Sequence, residues 1–242
     1  MIKVFRLGSF LTALCCVLAV GLAAFFLRAP AGNGSLSTAA GTDALPTLVI
    51  DPGHGGEDGG AVSLTGTYES VINFDIAQDA ASIAGLTGLP FQMTRTTEGI
   101  EYPAELKTTS KRKVYDQQSR VAFINGTENA VLLSIHQNFF PKKSAHGPQA
   151  FYATTAQSDI LAGFFTKSLD AALLPGNTRA AKPIASKIYL MKNVKCPAVL
   201  VECGFLSNTE EAKLLETKEY RFRVAAALMS GYLSYLNGKG NE

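Results

Sequence analysis

The chain has 242 residues, 47% of them hydrophobic and 17% charged, with four cysteines and a formal net charge of +2. That length and composition suit one core-forming domain, or two small ones, and exclude a collagen, a disordered tail protein and a disulfide-stapled miniprotein. Lys3, Arg6 and Arg28 supply the positive excess; the remaining 19 basic residues stand against 20 acidic ones, which makes charge-driven binding to nucleic acid a poor reading.

Residues 7–27 run 21 positions without a charge, with Lys3 and Arg6 before them and Arg28 after. About 20 apolar residues span a bilayer as a helix, and flanking basic residues keep their side cytoplasmic. Residues 1–28 are therefore expected to form an uncleaved signal anchor. The rival is a signal peptide cut near Ala29-Pro30-Ala31, but its apolar stretch is usually 7 to 15 residues. Leu14 before Cys15 speaks against a lipid anchor. Either way, the rest of the chain is expected to be exported, tethered to the cell membrane or secreted. Residues 29–46, rich in Ala, Gly, Ser, Thr and Pro, read as a flexible tether, and 47–242 as the folded domain.

In that domain, Thr47–Ile50 reads as a buried strand ending in Asp51-Pro52-Gly53. A helix is expected from Glu69 to Ala84, with Ile72, Ile76, Ala80 and Ile83 inward, followed by a strand over Phe91–Thr94. Thr96–Lys113 is polar and aperiodic, which suits a long functional loop. A helix over Tyr115–Asn125 stops at Gly126; strands follow at Ala130–Ile135 and Gln149–Ala153. Ser158–Leu174 reads as a helix ended by Pro175-Gly176, and Lys187–Met191 and Ala198–Val201 as strands. Ser207 and Asn208 ahead of Glu210 and Glu211 open a short helix to Leu215. The last helix is expected to bury Phe222, Ala226, Met229, Leu233 and Leu236. Strands that are near-continuous apolar runs, alternating with helices, predict an α/β fold with helices on both faces of the sheet. Cys196 and Cys203 flank one strand, whose seven residues span about 23 Å, too far for a disulfide, so two unpaired and largely buried thiols are expected.

The chain holds only three histidines, His54, His136 and His146. His54 and His136 each follow a predicted strand, and Glu202 follows another. The carboxyl ends of strands in open α/β sheets form the ligand crevice, and Glu69, at the first turn of the next helix, can reach it. Two imidazoles and a carboxylate suit a hydrolytic zinc centre, which uses three protein ligands. His54, Glu69 and His136 fit that arithmetic, leaving Glu202 as a general base. An ionised carboxylate is costly to bury unpaired, and its place on an apolar strand favours function over accident. The glycines around His54 permit a tight loop, and no phosphate-loop spacing is present.

The stretches VIDPGHGGEDGGAV, Glu69 with Asn73, LLSIHQN and AVLVECGFLSNTEEAKLL together resemble the zinc-dependent N-acetylmuramoyl-L-alanine amidases of the amidase-3 family, over residues 47 to 236. TSKRKVYDQQSRVAFIN and NTRAAKPIASKIYLMKNV resemble the germination-specific amidases of spore-formers. The resemblance implies a mixed, mostly parallel sheet flanked by helices, one Zn2+ per chain on His54, Glu69 and His136, and Glu202 as the catalytic carboxylate. It implies peptidoglycan, both glycan strand and stem peptide, as the partner. The reaction would be hydrolysis of the amide between the lactyl group of N-acetylmuramic acid and L-alanine. The spore subgroup adds a forespore or spore-envelope location, an activator protein, and a downstream deacetylase on the path to the cortex lactam. Two positions depart from the family: Ser70 stands where Lys is common, and Gln137 where a small residue is common.

Asn73, Arg95, Arg120, Asn138 and His146 are candidate substrate contacts. For Arg95 and Arg120 a structural ion pair is at least as good a reading. For His146 the plain expectation is an exposed loop histidine, and the basic residues of 107–113 read as a solvated surface. A different zinc peptidase acting on the stem, a non-catalytic wall-binding module and a structural membrane protein stand as alternative functions.

Overall fold

Side-chain alternation along three strands decides the layering. The computed structural model describes residues 44–185 and 187–239. In strand β1 (Thr47–Pro52), Leu48 and Ile50 face one side of the sheet and Val49 the other. Strand β3 (Ala130–Asn138) sends Val131, Leu133 and Ile135 to the first side and Ala130 and Leu132 to the second; strand β6 (Ala198–Phe205) divides Val199, Val201 and Cys203 from Ala198 and Leu200 in the same way. Strands buried on both faces must be apolar at every position, which is why they read as unbroken runs.

Strands β2 (Phe91–Met93), β4 (Gln149–Tyr152) and β5 (Lys182–Pro183) complete one six-stranded sheet, ordered β2-β1-β3-β6-β4-β5. All neighbours are parallel except β4 against β6, so the expected mixed, mostly parallel sheet is found. Helices α1 (Glu69–Leu86), α3 (Ser158–Leu173) and α6 (Lys218–Lys239) cover the first face. The second face is covered by α2 (Thr109–Gly126) and the five-residue α4 (Tyr189–Asn193). Helix α5 (Thr209–Leu215) begins at Asn208, whose side chain accepts from the N–H groups of Glu210 and Glu211, a side-chain N-cap.

Four sequence expectations are corrected. The run at Lys187–Met191 is not a strand: Tyr189–Asn193 is helical, with Leu190 and Met191 in the core and Ile188 and Tyr189 exposed. A five-residue apolar run carries no periodicity that separates strand from helix. Helix α2 starts at Thr109, capped by the Thr108 side chain, which shortens the polar loop expected to reach Lys113. Strands β3 and β6 run on through His136 and Glu202, so these two residues lie within strands rather than after them. In α6 the buried face is Val224, Ala225, Leu228, Met229, Tyr232 and Tyr235, while Phe222 and Ala226 are exposed. The inner face is turned by roughly a quarter of a rotation from the expected stripe, at 100° per residue, because two tyrosines are buried there. Tyr232 donates its hydroxyl to Pro46 O (3.0 Å) and Tyr235 to Gln157 Oε1 (3.0 Å).

Cys196 and Cys203 are free thiols, Cys203 fully buried and Cys196 only partly. Among the described residues no helix is long and apolar enough to cross a membrane. The expected anchor at 1–28, and all of the tether before Ala44, lie outside the described residues.

Candidate metal centre and its cleft

On the sheet face covered by α2 and α4, the strand positions change character toward the carboxyl ends. Val49 is followed on that face by Asp51, Leu132 by Ser134 and His136, and Leu200 by Glu202. The register sets Asp51 beside Ser134 and His136 beside Glu202. Three parallel neighbours thus deliver their polar ends to one rim, and a cleft of about 450 Å3 opens there.

The chain leaves β1 through Gly53, whose N–H donates to Ile135 O (2.9 Å). His54 then adopts a left-handed conformation, φ 61°, uncommon outside glycine. Gly53 has no substitute, since a Cβ there would run into the His136 ring. At Gly60 (φ 69°) a Cβ would stand 2.6 Å from Glu69 Oε2 and 2.8 Å from His54 Cδ2. These two glycines make the space in which the histidines and the glutamate meet.

His54 Nε2 lies 3.4 Å from Glu69 Oε2, and His136 Nδ1 lies 3.0 Å from Glu69 Oε1. The two rings sit 5.0 Å apart at 75°. One ligand atom from each of His54, Glu69 and His136 falls within 4.8 Å of the others. Each side chain is aimed by its neighbours. His54 Nδ1 pairs with Asp58 Oδ2 at 3.1 Å, and Lys113 Nζ holds the same oxygen at 2.8 Å. Glu69 Oε1 accepts from the Gln137 N–H (3.1 Å) and Asn73 Nδ2 (3.3 Å), and its Oε2 from the Ala61 N–H (2.9 Å). Burial would depress the His54 imidazolium, but hydrogen bonds and charge from Asp58 and Glu69 outweigh it and raise its pKa to about 9. Burial would likewise raise Glu69, and the two histidines overcome it, holding the carboxyl well below its usual range. The hydrogen bond from His54 does the same for Asp58.

This donor set fits a divalent metal. Two neutral imidazoles and a carboxylate are the hydrolytic zinc set. An acceptor on the far nitrogen of a ligating histidine is the outer partner such centres need, and Asp58 supplies it for His54. Glu202 lines the same cleft and stands outside the cluster of three. Burial raises its carboxyl to about 7, and its Oε2 is buried without a hydrogen-bond partner. A buried, unpaired carboxylate oxygen is costly, and one that opens onto a cleft is poised to take up a proton.

The other candidates divide. Arg120 is buried. It pairs with Asp51 (2.8 Å) and Asp116 (2.9 Å) and donates to the carbonyls of Pro52 (2.8 Å) and His54 (2.6 Å). Arg95 donates to the carbonyls of Pro52 (3.2 Å), Thr97 (3.0 Å) and Ser70 (3.0 Å), and stacks over Phe74 at 4.8 Å. Asn73 reaches Gly53 O (3.1 Å) as well as Glu69, and accepts from Gln137 Nε2 (3.1 Å). Three successive carbonyls, at residues 52, 53 and 54, are therefore held by these three side chains, which clamp the turn carrying His54. Asn138 lines the cleft. His146 is exposed, bonded to Ser144 O (2.9 Å), and lies outside the metal-binding cluster.

Sequence reasoning missed Asp51, Asp58 and Lys113. Asp51 had a signal, an acid at the end of a buried strand, the same oddity that marked Glu202. It accepts from Thr94 (2.6 Å) and Ser134 (2.7 Å) as well as Arg120. Asp58 and Lys113 had none, because their roles depend on how the loop folds back.

Comparison with known proteins identifies the family and the fold. The N-acetylmuramoyl-L-alanine amidase family model matches residues 48–233. A germination-specific N-acetylmuramoyl-L-alanine amidase of Bacillus subtilis is 37% identical over 195 residues, 80% of this chain and 81% of that protein. The amidase LytC of the same organism is 32% identical over 192 residues, 78% of this chain but 35% of LytC. Among solved structures, the CwlD amidase of Clostridioides difficile, in complex with the GerS lipoprotein, aligns with a TM-score of 0.75 and 33% identity, over 79% of this chain and 98% of that one.

Proposed function

The chain belongs to the N-acetylmuramoyl-L-alanine amidase family, and from that premise we propose that it is a zinc-dependent hydrolase of the amide joining N-acetylmuramic acid to L-alanine in peptidoglycan. His54, Glu69 and His136 hold the ion. When bound, zinc supplies the positive charge that polarises the scissile carbonyl and acidifies the attacking water. Asp58 orients His54, and the clamp on residues 52–54 keeps the turn from yielding. Glu202 takes the proton from the water and delivers it to the departing amine of L-alanine. A carboxyl held near 7 by burial suits both halves of that transfer.

The single observation that carries this reading is the unpartnered Glu202 carboxylate opening onto the cleft where two imidazoles and Glu69 converge. It is tested by mass spectrometry of digested peptidoglycan. Release of whole stem peptides with a free L-alanine amine, leaving bare glycan, is expected. Cuts within the stem would point to a peptidase instead, and no cut to a wall-binding module. Glu202→Gln is expected to keep one zinc and lose turnover by about 10²–10⁴-fold; near wild-type turnover would remove Glu202 from the reaction.

We further infer an exported protein in which residues 1–28 anchor the chain, 29–46 tether it and 47–242 carry catalysis. The germination-specific relative supports a role in germination; on that reading the substrate is spore cortex, and a deacetylase acts next on the bared muramic acid. The lipoprotein bound to the Clostridioides amidase supports a protein activator for this chain too.

A further inference from the structure

Beside the catalytic cleft runs a second groove of about 610 Å3, between the 138–146 segment and the turn at 174–179. The two share Asn138. The groove is lined by three cation-forming side chains, Lys142, His146 and Arg179, and by no acidic one. The nearby acids are spoken for: Glu211 accepts from the N–H groups of Gly147 (2.8 Å) and Phe205 (2.9 Å), and Asp170 from Asn177 (2.8 Å). Arg179 is set rather than free. Its guanidinium lies 4.7 Å over the Phe205 ring, Nε donates to His146 O (2.8 Å) and Nη1 to Gln149 Oε1 (3.1 Å), which leaves Nη2 without a protein partner among the described residues. A planar guanidinium fixed through Nε and Nη1, with both N–H groups of Nη2 spare, is a carboxylate receptor.

The two parts of the substrate differ in charge. Once its lactyl acid is amide-linked, the glycan is neutral, whereas the stem peptide carries free carboxylates. We propose that this groove is the subsite for the carboxylate-bearing stem peptide, seating the residues that follow L-alanine, with Arg179 and Lys142 as specificity-determining contacts. Reach supports it: from His136 to Asn138 is two strand residues, about 7 Å, so a stem whose first amide lies at the metal enters the groove at its second or third residue. The proposal rests on the amidase reading and is tested apart from it.

The experiment measures equilibrium binding of a free stem tripeptide, and of the same peptide with every carboxyl amidated, to the full-length chain in detergent with zinc added. The carboxylate peptide is expected to bind at least about fivefold tighter, with the gap closing as salt is raised. Lys142→Ala, at an exposed side chain with no hydrogen bond or ion pair among the described residues, and Arg179→Gln are each expected to cost about threefold to tenfold for the carboxylate peptide alone. On muropeptides the loss is expected in KM and not in kcat. Equal affinity for the two peptides, or indifference to both substitutions, would overturn the subsite. Peptide discrimination without amide hydrolysis would sink the amidase reading and keep the groove. Hydrolysis without discrimination would do the reverse.

Discussion

The two faces of the sheet are built from the same strands yet end differently. Under α1, α3 and α6 the core stays apolar as far as Ile135 and Cys203, beyond which buried Gln137 of β3 bonds to Asn73 of α1. Under α2 and the single turn-and-a-half of α4, the apolar layer stops at Val49, Leu132 and Leu200, and Asp51, His136 and Glu202 take over. Three long helices cover the first face, whereas the second has one long helix and a five-residue one, and there the carboxyl ends of the strands open onto the cleft. Asp51 and His136 are held there by hydrogen bonds, whereas Glu202 Oε2 is left without one.

That contrast predicts different failures on the two faces. His136→Ala should abolish activity and bound zinc together while the fold persists, as circular dichroism and metal analysis would show; unchanged zinc content would remove His136 from the ligand set. Asp58→Asn keeps a side chain beside His54 but weakens the outer support, and zinc affinity should fall about 10–100-fold in a competition titration. On the closed face, Leu133→Ala should cost about 2–5 kcal/mol and lower Tm by roughly 5–15 °C, with kcat unchanged wherever the protein is still folded. A loss of kcat there would mean the faces are not independent.

The last effect is in pH. Burial lifts Glu202 from its ordinary 4.5 to about 7, so between those values the folded protein holds a proton that the unfolded chain has lost. Stability of the metal-free protein should then fall as pH rises across that window. Glu202→Gln removes this contribution, so its Tm advantage over the wild type after chelation should grow from pH 4.5 to 7 and then level off. A constant difference would mean that the Glu202 carboxyl titrates normally.

How much could be read beforehand follows from the range of the interactions. The strands at Leu48–Ile50, Val131–Ile135 and Ala198–Val201 are legible because burial on both faces demands unbroken apolar runs. His54, His136 and Glu202 stand out because each interrupts or ends such a run. The clamp is not legible: Arg120 meets Asp51 across 69 residues of sequence, and nothing local marks which of the chain's arginines will do so. Lys187–Met191 misleads because a short helix with two buried residues has the composition of a strand. The phase of α6 misleads because tyrosine reads as an edge residue, and here the hydroxyls of Tyr232 and Tyr235 reach out of the core to acceptors at Pro46 and Gln157.

The bond from the Tyr232 hydroxyl to Pro46 O ties the entry of the domain to its final helix. Because β1 starts at Thr47 and its far end carries the His54 turn, that entry lies some six strand residues, about 20 Å, from the catalytic rim. Tyr232→Phe would therefore release the start of β1 at the end of the strand remote from the cleft, and a loss of stability with kcat unchanged would show that the two ends of the strand are separately secured.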